Sequence, residues 1–281
     1  MVVFPNCKIN LGLRILNRRE DGYHNLQSIF IPIQLCDALE IIEADADEMF
    51  IHGKKIEGES KNNSCFKALQ ILRSVRIFPY VQIHLLKHIP IGAGLGGGSS
   101  DGAFTLKLLN DKFNLGFSDA ELAEFAIKIG SDCVFFIHNQ PAFIEGKGEI
   151  ISPIRFSLKG YLIAIAFPEI HIDTTIAYNL LSKSRINNTT IVNDFKGDNK
   201  ENFQSSKPED WKHIYTNDFE NVIFSLYPEI REWKENFLNQ GAILSLMSGS
   251  GSSVFAIMKN DSDLTKLKKT GKYSRVFFQD M

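Results

Sequence analysis

The feature that most constrains this chain follows Pro90: Ile91-Gly92-Ala93-Gly94-Leu95-Gly96-Gly97-Gly98-Ser99-Ser100-Asp101-Gly102. It lies between an apolar run, Val81 to Leu86, and a helical pattern from roughly Ser100 to Asn110. Such a loop, entering a helix, lets backbone N–H groups approach phosphate oxygens, and the helix dipole adds to the attraction. A tight turn that needs glycine only for positive φ would use fewer small residues, so the run points to a bound nucleotide. Its kind is narrowed by what is missing. Gly92, Gly94 and Gly97 satisfy G-x-G-x-x-G, but a dinucleotide fold needs a strand soon after the helix, whereas a second helix starts here at the Ser118-x-x-Glu121 capping box. A P-loop needs lysine before its Ser/Thr, and Gly98 precedes Ser99. Neither His-Arg-Asp nor Asp-Phe-Gly occurs, so the protein-kinase pattern fails too.

Elsewhere the pattern mixes α and β. Lys8-Ile9-Asn10-Leu11-Gly12-Leu13-Arg14-Ile15 alternates with period two, which predicts a strand with Ile9, Leu11, Leu13 and Ile15 on one face and Lys8 and Asn10 on the other. The Asp21-Gly22 turn returns the chain through a strand near Ile29 to Ile33. Strands are expected at 38–43, 49–52, 81–86, 161–167, 243–247 and 254–258, and a hairpin at 143–151. Asn62 or Asn63 caps a helix to about Arg73. Ser131 to Phe136 reads as extended, and helices are expected near 175–184, 218–226 and 229–239. About two dozen Asn-, Asp-, Lys- and Ser-rich residues between Ser184 and Pro208 read as a polar excursion. A second small-residue loop, Ser248-Gly249-Ser250-Gly251-Ser252-Ser253, directly precedes the strand at Val254.

Composition excludes several function classes. A formal net charge of −2 over 281 residues gives no field for a polyanion, so no nucleic-acid partner is expected. No apolar run spans a bilayer and no export leader opens the chain, so neither a membrane partner nor export is expected. Cys7, Cys36, Cys65 and Cys133 form no Cys-x-x-Cys pair and read as reduced thiols of a cytoplasmic protein. His84 and His88 fall on a strand pattern that places them about 13 Å apart, too far to share a metal ion.

The order that remains is Pro5-x-x-Lys8-x-Asn10 on a strand, then Pro90-x-Gly92-x-Gly94-Leu95-Gly96 with its Ser99-Ser100 tail, then Ser248-Gly249-Ser250-Gly251. It resembles the GHMP family of small-molecule kinases. Asp21-Gly22-Tyr23-His24, Gly94 to Asp101, Gly130-Ser131-Asp132, Phe143-x-Glu145-Gly146-x-Gly148-Glu149 and Asn217-Asp218-Phe219-Glu220 extend the resemblance over nearly the whole chain. Asp-Gly-Tyr-His and the triple glycine are closer to the branch that phosphorylates the 2-hydroxyl of 4-diphosphocytidyl-2-C-methyl-D-erythritol, a step in isoprenoid precursor biosynthesis. Asn6-Cys7 before the lysine, Cys133 after the aspartate and Gly102 in place of alanine depart from the pattern.

The resemblance implies a two-domain α+β GHMP-kinase-like fold, with residues 1–152 and 153–281 as its domains and the active-site cleft between them. It implies ATP and Mg²⁺ as cofactors, a small-molecule cytidyl substrate, and a monomer or homodimer. Asp132 would be the general base and Lys8 the cation beside it. Pro90, Gly92, Gly94, Leu95, Gly96, Gly97, Gly98, Ser99 and Ser100 would hold the ATP phosphates, with Asn63 and Lys87 bordering the adenosine. A side chain at Gly96 or Gly97 is expected to block phosphate approach. Tyr23 and Tyr178 would sandwich the cytosine, with polar contacts from His24 and Asn10; Thr174 and Tyr178 belong to Ile172-x-Thr174-x-x-x-Tyr178. The alternatives are a family member acting on mevalonate, homoserine or a sugar, and a nucleotide-binding protein without catalysis.

Overall fold

The computed structural model describes residues 1–54, 62–187, 208–260, 262 and 276–281. Its first half carries two four-stranded sheets. One has the order β1 (Val2–Val3), β4 (Ala38–Glu43), β6 (Val81–Lys87), β5 (Glu48–Gly53), with β5 and β6 parallel. The other runs β2 (Asn6–Arg18), β3 (His24–Cys36), β7 (Ala142–Glu145), β8 (Ile150–Pro153). Helices α1 (Ser64–Arg73), α2 (Gly97–Lys112), α3 (Asp119–Ile129) and α4 (Ser131–His138) share a core with the inner residues Leu39, Ile41, Val81, Ile83 and Leu85 of β4 and β6. Asn63 caps α1 and accepts the Cys65 N–H, and Ser118 and Glu121 form the reciprocal capping box of α3. Gly102 has a packing reason: a Cβ there would sit 3.0 Å from that of Ser64, so glycine lets α1 and α2 approach.

The second half is one antiparallel sheet, β10 (Leu244–Met247), β11 (Val254–Lys259), β9 (Tyr161–Ala166), β12 (Val276–Asp280). Both of its faces are buried, which is why β9 and β11 read as unbroken apolar runs. Ile163, Ile165, Phe255 and Ile257 pack against Ile9, Leu11, Ile29 and Ile31 of the β2–β3 hairpin, so the two halves share a core. Leu162, Ala164, Val254 and Ala256 pack beneath α5 (Thr174–Asn187), α7 (Glu220–Leu226) and α8 (Pro228–Asn239). The short α6 (Trp211–Ile214) brings Trp211 and nearby Tyr215 into the shared core. Residues 188–207 of the polar excursion lie outside the described residues.

Two sequence expectations are corrected. Ser131 to Phe136 is the helix α4, not an extended stretch. Cys133 through Ile137 are all buried, so no polar face marks the 3.6-residue period and the run cannot be told from a buried strand by pattern. The second correction concerns β2. Leu11 pairs with Ile29, but Leu13 pairs with the next residue, Ser28; Gly12 is the extra residue of a bulge, at φ 76°. Leu13 and Ile15 therefore share the face of Lys8 and Asn10 and join the α5–α8 core, while Ile9 and Leu11 face the other way. One strand thus serves two cores, and its bulge brings Leu13 to the cleft beside Lys8.

Candidate active site

The cleft between the halves has a volume of about 780 Å³. Lys8, Asn10, Gly92, Gly94, Gly96 and Asp132 line it together with Tyr23, His24, Thr174 and Tyr178. Lys8 is almost fully buried on β2, and its Nζ lies 3.7 Å from Asp132 Oδ2 and 3.3 Å from the Gly94 carbonyl. Burial holds the Lys8 ammonium below the ordinary lysine range, and Asp132 opposes that shift. Asp132 stands in the first turn of α4, where the helix dipole favours a carboxylate, and its side chain stays one-third exposed toward the cleft. The structure thus brings together two residues 124 positions apart in sequence.

Asn10 faces the same space, but its polar atoms are engaged inside the protein. Its Oδ1 accepts from Lys8 Nζ and its Nδ2 donates to Ser28 Oγ at 3.1 Å. In turn, Ser28 Oγ donates to the Gly12 carbonyl at 2.6 Å, so the bulge helps to orient Asn10 and, through it, the lysine.

The glycine loop takes positive φ at Gly92, Gly94 and Gly96, and α2 begins at Gly97 with no side chain capping its first turn. Its leading amides have no acceptor within the helix, the arrangement an anion needs. A Cβ on Gly94 would lie 2.0 Å from the Ser248 carbonyl oxygen, because the second small-residue loop is seated directly on the first. Ser248 Oγ donates to the Gly94 carbonyl at 2.9 Å and accepts from the Asn10 N–H at 3.3 Å. Pro90 leads into the loop. Leu95 is a core residue whose carbonyl accepts the Lys8 N–H at 3.0 Å, so it acts through the backbone. Gly98 faces open space, whereas a Cβ on Gly97 would lie 2.9 Å from Ile89 Cγ2. Ser99 is half-buried; Ser100 is fully buried, and its Oγ has no hydrogen-bond partner.

Asn63 and Lys87 have side-chain atoms engaged inside the protein. Asn63 Oδ1 is used in the helix cap, and Lys87 is buried between Asp37 and Asp101. Also lining the cleft, His24 and Tyr178 stack with ring centroids 5.0 Å apart, so in this structure His24 covers one face of Tyr178. Burial pushes the Tyr178 hydroxyl up to about 12. Tyr23 is 59% exposed, with Lys147 Nζ 4.7 Å from its ring centroid. Thr174 Oγ1 lies 3.1 Å from Ser250 Oγ, joining the start of α5 to the 248–253 loop.

Sequence reasoning gave no role to two residues that shape this site. Asn217 Nδ2 donates to the carbonyls of Met247 (2.7 Å) and Gly249 (2.8 Å), which pins the second loop from below. The Asn217-Asp218-Phe219-Glu220 motif was its visible signal. His171 reaches the glycine loop from the other half: a Cβ on Gly92 would lie 2.5 Å from its Nδ1. Nothing in the sequence around His171 marks it.

Residues 44–147 match the model of the GHMP kinases N terminal domain, and residues 200–271 match that of the GHMP kinases C terminal domain. A 4-diphosphocytidyl-2-C-methyl-D-erythritol kinase of Bacteroides fragilis is 45% identical over 95% of this chain and 95% of its own. One from Azobacteroides pseudotrichonymphae is 46% identical over 92% and 94%. The crystal structure of a 4-(cytidine 5'-diphospho)-2C-methyl-D-erythritol kinase superposes with a TM-score of 0.74 at 27% identity, covering 99% of this chain and 98% of that one. Methanococcus jannaschii mevalonate kinase shares the fold, with a TM-score of 0.71 at 17% identity over 100% of this chain and 98% of its own. Two family models and relatives 45% and 46% identical over most of their length give one answer: the chain belongs to the GHMP kinase family.

Proposed function

We propose that this kinase transfers the γ-phosphoryl group of ATP to the 2-hydroxyl of 4-diphosphocytidyl-2-C-methyl-D-erythritol, a step of isoprenoid precursor biosynthesis. The observation that carries the reading is the Lys8–Asp132 pair, 3.7 Å apart, lining the cleft with the glycine loop. Asp132 accepts the hydroxyl proton, and Lys8 orients the hydroxyl and offsets the charge that develops on the transferred group. The free amides at the start of α2 hold the phosphates. No group of three His, Cys, Asp or Glu among the described residues can hold a metal ion, which suits Mg²⁺, an ion that rests largely on substrate phosphates. Ser99 and Ser100 are the hydroxyls that would complete its ligands, and the unpartnered Ser100 Oγ fits that need. When bound, Mg²⁺ neutralises phosphate charge. Asn63 and Lys87 border the adenosine in this reading through their backbone and stems. Residues 1–152 and 153–281 are assigned as the two domains. The four free cysteines accord with a reducing, cytoplasmic setting, and no described helix is long and apolar enough to cross a membrane.

Tyr23 and the His24–Tyr178 stack give the cytosine its aromatic lining. The test is to incubate the protein with Mg·ATP and, separately, the cytidyl alcohol, mevalonate, homoserine and galactose, and to follow ADP release. Rapid release with any alcohol but the first refutes the assignment. Tyr23→Ala is expected to raise KM for the cytidyl substrate by up to about tenfold, since a stacking face is worth about 0.5–1.5 kcal/mol beyond its area, and to leave KM for ATP unchanged. His24→Ala should act in the same direction. CDP should compete with the alcohol, because the cytidine end binds remote from the reacting hydroxyl. Equal changes in both KM values would make these rings merely structural.

The open space at Gly98 gives a second test. Gly98→Val fits the fold, and its side chain would stand where a phosphate approaches the first turn of α2. Calorimetry should show ATP affinity reduced by about tenfold or more with the melting temperature nearly unchanged. Gly97→Val is the poorer probe, since its side chain would collide with Ile89 and so confound binding with stability.

A further inference from the structure

Behind the glycine loop lies a buried charge cluster of Asp37, Lys87 and Asp101. Lys87, the last residue of β6, has a side chain only 3% exposed. Its Nζ is ion-paired with Asp37, just after β3, and with Asp101, one turn into α2, at 2.7 Å. Both carboxylates are also buried. Asp37 turns its other oxygen to the chain leaving β6: Oδ1 accepts the N–H groups of His88 (2.6 Å) and Ile89 (2.8 Å). A Cβ on Gly97 would lie 3.4 Å from Lys87 Nζ, so the ammonium sits immediately behind the first turn of α2. Burial raises the Asp101 carboxyl above the usual carboxylate range, and Lys87 opposes this. Asp101 Oδ1 has no hydrogen-bond partner.

A buried lysine between two buried carboxyl groups is a costly way to fill a core. Taking each out of water costs several kcal/mol, and apolar residues of similar volume often do as well or better for stability. Ionic contacts, unlike apolar ones, are directional, and these run from one end of the glycine loop to the other. We propose that Asp37, Lys87 and Asp101 are positioning residues for the nucleotide. The triad ties the entry of the loop, at His88 and Ile89, to the start of α2, and so sets the spacing of the backbone amides that meet the phosphates. This rests on reading the loop as the ATP phosphate cradle.

Asp37→Asn tests it in the full-length chain. The amide keeps the volume and an oxygen for the loop N–H groups, but sets an NH₂ against the Lys87 ammonium and cuts the tie. ATP binding is measured by calorimetry without the alcohol, KM is measured for each substrate, and thermal unfolding is followed in parallel. The expected result is a rise of about tenfold or more in Kd and KM for ATP, with KM for the alcohol within twofold, since a small displacement of a positioned group is enough for such a loss. A lower melting temperature with unchanged ATP constants would show a merely structural triad and overturn the proposal, as would equal rises in both KM values. If Asp37→Asn does not fold, Asp101→Asn cuts the tie from the helix side and is judged by the same criteria. In the wild-type protein, the His88 and Ile89 amides should exchange slowly with solvent before ATP is added; rapid exchange at both would overturn the proposal without any variant. Wild-type protein that binds no ATP would instead refute the reading of the loop, whereas wild-type binding with an unaltered variant refutes the triad alone.

Discussion

Asp132→Asn is expected to lower kcat by about a hundredfold or more, the range for removing a positioned general base, and to leave ATP binding nearly unchanged. A hundredfold corresponds to about 2.7 kcal/mol of lost transition-state stabilisation. The substitution is isosteric and Asp132 is partly exposed, so the fold should not suffer. Amide and carboxylate differ here in one respect that matters: only the carboxylate can take the hydroxyl proton. Rapid-quench measurement of a single turnover, with calorimetric titration of ATP in parallel, separates chemistry from binding. Near-normal turnover would remove Asp132 from the mechanism and leave Lys8 with another partner to find.

Gly94→Ala should do the opposite, damaging the fold first. The new Cβ would fall 2.0 Å from the Ser248 carbonyl oxygen and 3.1 Å from that of Gly251, and φ at this residue is +75°. The left-handed conformation costs a non-glycine residue roughly 1–2 kcal/mol, and overpacking adds about 1–3 kcal/mol. Backbone on both sides leaves little room for relief. A loss of roughly 2–5 kcal/mol would lower the melting temperature by on the order of 5–10 °C. Gly98→Ala, in open space, serves as the control in the same thermal scan. A Gly94→Ala protein as stable as the wild type would mean that the two loops separate freely, and the clasp described above would be wrong.

Much of this was legible in the residues. Glycine and serine density marked both loops, and period-two alternation or continuous apolar runs marked most strands, because those signals report burial directly. Caps at Asn63 and Ser118 were readable since the capping side chain is local. What escaped had non-local causes. The flip of Leu13 and Ile15 depends on one extra residue at Gly12, which leaves the apolar count unchanged. Helix α4 is buried from Cys133 through Ile137 and shows no polar stripe there. Strand β12 has only the short apolar signal Val276-Phe277-Phe278, too brief to mark a strand by pattern. The burial of Lys87 is not legible locally because Asp37 and Asp101, the residues that pair with it, lie 50 positions before and 14 after it. The pairing of Lys8 with Asp132 came from family resemblance, and no periodicity could have supplied it.

The seat of Ser248 on the glycine loop also bears on how the protein acquires its site. Ser248 Oγ bonds Gly94 across 154 residues and Asn10 across 238. Contacts of such separation close large loops, and topologies rich in them fold slowly because chain entropy is lost before the contacts reward it. The two sheets of the first half pair strands from that half alone, but its phosphate loop takes its clasp from the connection between β10 and β11. The nucleotide site is therefore complete only when both halves are in place, and a nucleotide that binds only the completed cleft stabilises the native state by mass action.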